Sequence, residues 1–280
     1  MSDVVENVHK VGAIKELSEG ACNRFVVHPK DQRRSSPFIL LVEDWIEPQV
    51  AGFDMHPHRG FETVTLVLEG AMRHQDHLGA SGVLRGGDVQ WTRAGRGIFH
   101  GGHPEGSERL HALQLWLNLP AAMKSAAPGT LEQHLADTLL DEADGVQVIV
   151  HAGAYNGRAQ PHRSLWPLTL VEAKLQANRS ITLDVRPEDR AFLYVLEGEV
   201  SIDGVRAVAQ GEVAWFRFGD SRLARGVRLH AALNAQVVYY ASPPIDEPVA
   251  MHGPFVMNTE EEIRQAYADL KSNKLLKHGD

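Results

Sequence analysis

The sequence predicts an all-β protein of two tandem β-barrels, with a few short helices including one at the C-terminus. Three observations predict this class. Between residues 49 and 119, short β-rich runs alternate with glycine turns at Gly70, Gly79, Gly82, Gly86-Gly87 and Gly101-Gly102, a spacing that suits a sandwich or barrel rather than βαβ units. The second half faintly repeats the first. Residues 193–198 (Leu-Tyr-Val-Leu-Glu-Gly) match 65–70 (Thr-Leu-Val-Leu-Glu-Gly) at an offset of 128, and 210–215 (Gln-Gly-Glu-Val-Ala-Trp) match 86–91 (Gly-Gly-Asp-Val-Gln-Trp) at an offset of 124. Near the end, Ile263, Ala266, Tyr267 and Leu270 fall at i, i+3, i+4 and i+7, one apolar helical stripe.

In chain order, Arg24–His28 reads as a first strand and Arg33–Pro37 as a loop. Phe38–Trp45 is a β-rich run that ends before Pro48. Arg109–Leu119 is a further strand-like run. Residues 120–130, with Pro128-Gly129, suggest a linker, so the division expected is an N-terminal barrel over 1–125 and a C-terminal barrel with its helix over 126–280. Thr130-x-x-Gln133 has the capping-box pattern and predicts a short helix through Leu135, Leu139 and Leu140. Thr259-x-x-Glu262 has it too, and predicts the C-terminal helix from Glu260 to about Lys274.

At 280 residues the chain can bury one large core or two smaller ones. Its net charge of −8 argues against a surface built to neutralise nucleic-acid phosphates. The single cysteine, Cys22, has no internal partner, which fits a reducing compartment. The first residues lack the basic start and apolar core of a signal peptide, and no apolar run approaches membrane-spanning length. A cytoplasmic protein with no membrane or direct nucleic-acid partner is therefore expected.

The chemistry concentrates in one stretch. Seven of the fifteen histidines lie between His56 and His111. In a strand, residues at i, i+2 and i+4 share a face, so His56, His58, Gly60, Glu62, Val64, Leu66 and Leu68 share one if no bulge intervenes. Because that face carries the aliphatic residues, it is expected to be the interior, with Thr63, Thr65, Val67 and Glu69 on the other. The same parity groups Ile98, His100 and Gly102 against Phe99, Gly101 and His103. His56, His58 and His100 are thus the candidate metal ligands. His103 would need a bulge to turn inward, and the glycine pair before it allows one. Imidazoles suit zinc, copper, iron and nickel.

The repeat provides a control. Moved by 128, His56 and His58 become Asp184 and Arg186. Moved by 124, His100 becomes Ala224. Such a set does not hold a transition metal, so the barrel itself does not require the histidines. His74 and His77 read as surface or turn residues. His111 reads equally as a pocket neighbour or a core histidine. His151, His162, His230 and His252 share no spacing. Asp88 is expected to set its turn, and Arg59 and Arg96 to brace charge in the barrel or to lie on the surface.

The spacing His-x-His-x-x-x-Glu followed by Gly70, then Gly87-Asp88-Val89 and a lone histidine, resembles the cupin signature. More narrowly, His-Pro-His-Arg-Gly-Phe-Glu-Thr-Val from His56, Gly-Asp-Val-Gln-Trp from Gly87, Leu-Gln-Leu-Trp-Leu-Asn-Leu-Pro from Leu113 and Gly-Pro-Phe-Val-Met-Asn-Thr from Gly253 are similar to pirin. The resemblance covers most of the chain. It implies a bicupin with one mononuclear iron site in the N-terminal half, held by counterparts of His56, His58 and His100 and by a glutamate two residues later. That last position is Gly102 here, a departure from the family. Glu62, where many cupins place a carboxylate ligand, is the natural substitute and His103 another. Three histidines completed by water are also chemically sound. Manganese, nickel, copper, cobalt and zinc remain alternatives to iron.

The resemblance further implies a metal-dependent dioxygenase of the quercetin 2,3-dioxygenase type. Such an enzyme cleaves a flavonol-like aromatic substrate with release of carbon monoxide, and Glu62 is the candidate base. As the alternative it implies a metal-responsive regulatory protein with a protein partner, as in eukaryotic pirins. Gly102 adds a third reading, a bicupin with weakened metal binding.

Overall fold

The computed structural model describes residues 4–161 and 163–276. The chain opens with β1 (Val5–Lys10). There follow β2 (Lys15–Ser18), β3 (Ala21–Val27), a single helical turn α1 (Gln32–Ser35), β4 (Phe38–Ile46), β5 (Phe53–His58), β6 (Phe61–Glu69), β7 (Ala71–Asp76), β8 (Ser81–Arg85), β9 (Val89–Arg93), β10 (Ile98–Pro104), β11 (Leu110–Asn118) and β12 (Gly129–Gln133). The second series is β13 (Leu139–Ala143), β14 (Val146–Tyr155), β15 (Arg158–Gln160), β16 (Thr169–Leu175), β17 (Arg179–Leu183), β18 (Arg190–Glu197), β19 (Glu199–Ile202), β20 (Arg206–Ala209), β21 (Glu212–Phe216), β22 (Val227–Ala231) and β23 (Ala235–Ser242). A hairpin of β24 (Ala250–His252) and β25 (Phe255–Met257) leads into α2 (Glu260–Lys271). Among the described residues no helix is long and apolar enough to cross a membrane.

The duplication inferred from two short motifs extends through both topologies. One large sheet runs β12-β9-β6-β11-β4-β3-β2, the other β1-β21-β18-β23-β16-β14-β13. The small sheets run β5-β10-β7-β8 and β17-β22-β19-β20. Along these paths the two orders agree strand for strand, and β15 pairs in addition with β14.

The compact units are not contiguous halves, whereas division at 125/126 was expected. One comprises Ala13–Ala136, Ser164–Trp166 and Ile245–Asp280; the other Met1–Gly12, Asp137–Arg163 and Pro167–Pro244. The reason is strand pairing. β12, beyond the expected boundary, pairs with β9, while β1 occupies the equivalent edge place beside β21. The C-terminal helix packs its Ile263 and Ala266 with Phe255 and Leu275 in the unit that holds β5 and β10.

The helix expected after Thr130 does not form. Gly129–Gln133 is a strand, followed by a 3-10 turn at Leu135–Asp137. Pairing with β9 satisfies its backbone, and tertiary pairing overrides a local capping pattern. The capping box at Thr259 does form: its hydroxyl accepts from the Glu262 amide at 3.2 Å, and Glu262 accepts from the Thr259 amide at 2.8 Å. Thr259→Ala is expected to lower stability by about 1 kcal/mol, read from urea unfolding. An unchanged midpoint would show that packing alone holds α2.

Candidate metal centre

β5 and β10 lie side by side, with His56 opposite His100 and His58 opposite Ile98. This register brings three rings together. Centroids are 4.7 Å apart for His56–His58, 4.7 Å for His56–His100 and 5.0 Å for His58–His100. One nitrogen of each lies within 4.8 Å of the others.

Backbone carbonyls set two of the tautomers. A carbonyl only accepts, so His56 Nδ1 donates to Asp54 O at 2.7 Å and His58 Nδ1 to Pro254 O at 3.2 Å. Each Nε2 then presents a lone pair, and the two face one another at 3.0 Å. His100 Nε2 is buried with no hydrogen-bond partner. Facing lone pairs repel unless a proton or cation lies between them, so this donor set fits a transition metal. Burial and the neighbouring imidazoles hold His58 well below the ordinary histidine range, and burial with His56 beside it takes His100 down to about 3. Both are neutral at pH 7, the form that binds a metal.

The parity expected across β5 and β6 fails at one residue. Gly60 has φ +89°, and a Cβ there would lie 2.0 Å from Val256 O. This corner resets the alternation, so the face next to the histidines carries Phe61, Thr63, Thr65 and Val67. Phe61 stands 5.0 Å from the His58 ring, and Trp116 touches both, at 5.0 Å from His58 and 4.3 Å from Phe61. The interior around the histidines is therefore polar and aromatic, while Val64 and Leu66 face the other side.

Glu62 faces away with them. Its carboxylate accepts from Leu165 N at 3.0 Å and lies 3.3 Å from Arg93 Nε. It is not in the converging group, which removes it from the expected ligand and base positions. Burial pushes its carboxyl up to about 7, against the Leu165 amide and Arg93, and burial likewise raises Asp44 to about 7. Unfolded, Glu62 titrates near 4.5. Between these values the folded chain binds more protons than the unfolded one, so stability falls as pH rises from 4.5 through 7. Glu62→Gln is expected to remove about 3 kcal/mol of that fall, measured by urea unfolding across the window. An unaltered pH profile would refute the assignment.

His103 stands opposite Arg73, which is exposed, on the outer face of β10. The register slip between His100 and Gly102 lies on the β5 side and does not turn His103 inward. Gly102 does face inward, opposite His74, and a Cβ there would meet Met72 Sδ at 3.1 Å.

The remaining residues divide. His74, expected at the surface, is buried and hydrogen-bonded to Glu132. His77 accepts from Phe99 N at 3.1 Å. His111 lies on the opposite face from Trp116, stacked on Trp45 at 5.0 Å and 2.8 Å from Glu43. His151 is buried beside Glu172, His230 pairs with Ser180 and His252 with Tyr267; His162 lies outside the described residues. Asp88 accepts from the Arg85 amide at 2.8 Å, as a turn residue should. Arg59 braces the corner before Gly60, through Asp269 at 2.8 Å and Arg96 O at 2.6 Å. The carbonyls of Asp54 and Pro254 gave no sign in the sequence, because every residue carries one.

In the second unit the corresponding ladder pairs Ile181 with Leu229 and Leu183 with Val227, all buried in its core. These, and not Asp184, Arg186 and Ala224, occupy the histidines' places. Residues 184–189 separate β17 from β18, where only Arg59 and Gly60 separate β5 from β6, so a constant offset misaligns them.

Fold and site define a bicupin in which, among the described residues, the converging histidine trio lies in the barrel that holds β5 and β10. The Pirin family model matches residues 18–117, and the Pirin C-terminal cupin domain model matches 170–276. A Pseudomonas aeruginosa protein named, provisionally, as a quercetin 2,3-dioxygenase is 39% identical, over 92% of this chain and 94% of its own. Human Pirin is 35% identical, over 93% and 90%. The crystal structure of quercetin 2,3-dioxygenase from Acinetobacter baumannii superposes with a TM-score of 0.86 at 27% identity, covering 98% of each chain. The chain belongs to the pirin family.

Proposed function

We propose that this chain is a metal-dependent dioxygenase of the quercetin 2,3-dioxygenase type, acting on a flavonol-like substrate that chelates the metal. The observation that carries the reading is the convergence of His56, His58 and His100 with the Nε2 lone pairs of His56 and His58 directed at one another. These three residues would hold one transition metal, iron by the family resemblance. Bound there, the metal supplies Lewis acidity and a redox partner for dioxygen. Three neutral ligands leave its charge uncompensated and coordination positions open, which favours an anionic, oxygen-donating chelator. Phe61 and Trp116 form an aromatic wall beside His58 on which a flat ring can pack. Likeness to the Acinetobacter enzyme over nearly the whole chain supports the substrate class.

The test is oxygen uptake with quercetin by protein loaded with iron, manganese, nickel, copper or cobalt, one at a time. Uptake dependent on at least one of them is expected. Stoichiometric metal without uptake in every case would overturn the enzyme reading in favour of a metal-responsive binding protein.

A further inference from the structure

We propose that Gln90 and Thr63 form a donor pair that recognises an oxygen acceptor on the far side of the chelating aromatic ligand. The inference rests on the chelation reading above and names what the ligand must carry at its other end.

The pair is placed by register. Thr63 stands opposite Thr92 on β9 and Trp116 on β11, and Thr65 stands opposite Gln90 and Gln114. Residues directly opposite in an antiparallel pair share a face, and Trp116 touches His58. All these side chains therefore line the interior that holds the histidines, on the facing sheet. Facing sheets stand about 10 Å apart, so this wall and the histidines look at one another across a single layer of the barrel interior.

Most of this wall is internally satisfied. Trp116 Nε1 donates to Gln114 Oε1 at 3.3 Å, Gln114 Nε2 to Thr65 Oγ1 at 3.5 Å, and Thr92 Oγ1 to Gln90 Oε1 at 3.2 Å. The last bond occupies the Gln90 oxygen and leaves its NH₂ as the free end. Gln90 Nε2 and Thr63 Oγ1 are buried without a hydrogen-bond partner, in residues 3% and 1% exposed. Polar groups so buried cost stability unless something meets them, and valine or leucine would pack there without that cost. Two donors on one face, across the barrel from a candidate metal centre, suit an acceptor oxygen: a carbonyl, ring ether or phenolate.

The test uses two catechols with the same chelating pair, 3,4-dihydroxyacetophenone and 4-ethylcatechol. Only the first carries an acceptor oxygen opposite the chelating end. Binding is measured by calorimetry on the zinc-loaded full chain, where no redox turnover competes. The acetyl group also makes its catechol more acidic, so the reading is the change in preference between wild type and variant. Gln90→Met is expected to reduce the preference for the acetyl compound about tenfold, with 4-ethylcatechol affinity retained. Thr63→Val, nearly isosteric, is expected to reduce it by a smaller factor and serves should Gln90→Met misfold. A preference unchanged in both variants overturns this inference alone. Binding of neither catechol to wild type overturns the chelation reading and this inference with it.

Discussion

His58→Ala is expected to abolish stoichiometric metal binding, a larger loss than the roughly 10- to 100-fold that removal of an outer partner of a metal ligand costs. His58 is held by the Pro254 carbonyl on one side, and its Nε2 stands 3.0 Å from that of His56 on the other. Without it two imidazoles remain. The measurement is elemental analysis after dialysis, with a titration for Kd. Wild type should also gain stability with metal, by about 2.7 kcal/mol at a free concentration of 100 Kd, and the variant should gain none. His103→Ala is the control, since that ring lies on the outer face with Arg73. One equivalent of metal retained by His58→Ala would show that the trio is not the centre.

The second large effect is expected at Lys124, which is buried yet cationic. Its Nζ donates to Gly60 O at 2.8 Å, Asn118 Oδ1 at 2.6 Å and Val256 O at 3.1 Å. Gly60 forms the corner between His58 and Phe61, and Val256 lies two residues past the Pro254 carbonyl that orients His58. One ammonium group thus ties the corner between β5 and β6 to the C-terminal hairpin. Lys124→Met would leave three acceptors in an apolar setting at about 1–3 kcal/mol each. A loss on the order of 4 kcal/mol is expected, together with weaker metal binding. Burial brings the Lys124 ammonium down to about 8 from 10.5. Between these values the unfolded chain binds more protons than the folded one, so wild-type stability should rise with pH across that window. The variant's profile should be flatter there. A variant as stable as wild type, with the same slope from pH 8 to 10.5, would remove Lys124 from this role.

Much of the candidate site was legible in the chain. His-x-His at 56 and 58 has strand spacing, and His100 has the parity to join it; the structure brings all three together. What parity could not anticipate was Gly60. A left-handed corner held against the Val256 carbonyl reverses which side chains face inward. Glu62 moves to the opposite face, and Thr63 and Thr65 take the interior that Val64 and Leu66 were expected to line. His74 misled for a related reason. It lies near a turn, but its partner Glu132 arrives on β12, a strand that the local pattern read as helix.

By itself the sequence determined the β class, the duplication, the capped C-terminal helix and the identity of three histidines. These are local or periodic properties, written in spacings of two, of three to four and of about 126 residues. Only the tertiary structure decided which strand completes which barrel, that the C-terminal segment supplies the carbonyl orienting His58, and that the interior is polar on the side facing the histidines. Those depend on contacts between residues up to about two hundred positions apart, and on one backbone angle. Neither leaves a mark in composition or periodicity, because a backbone carbonyl belongs to every residue and a glycine does not declare the sign of its φ.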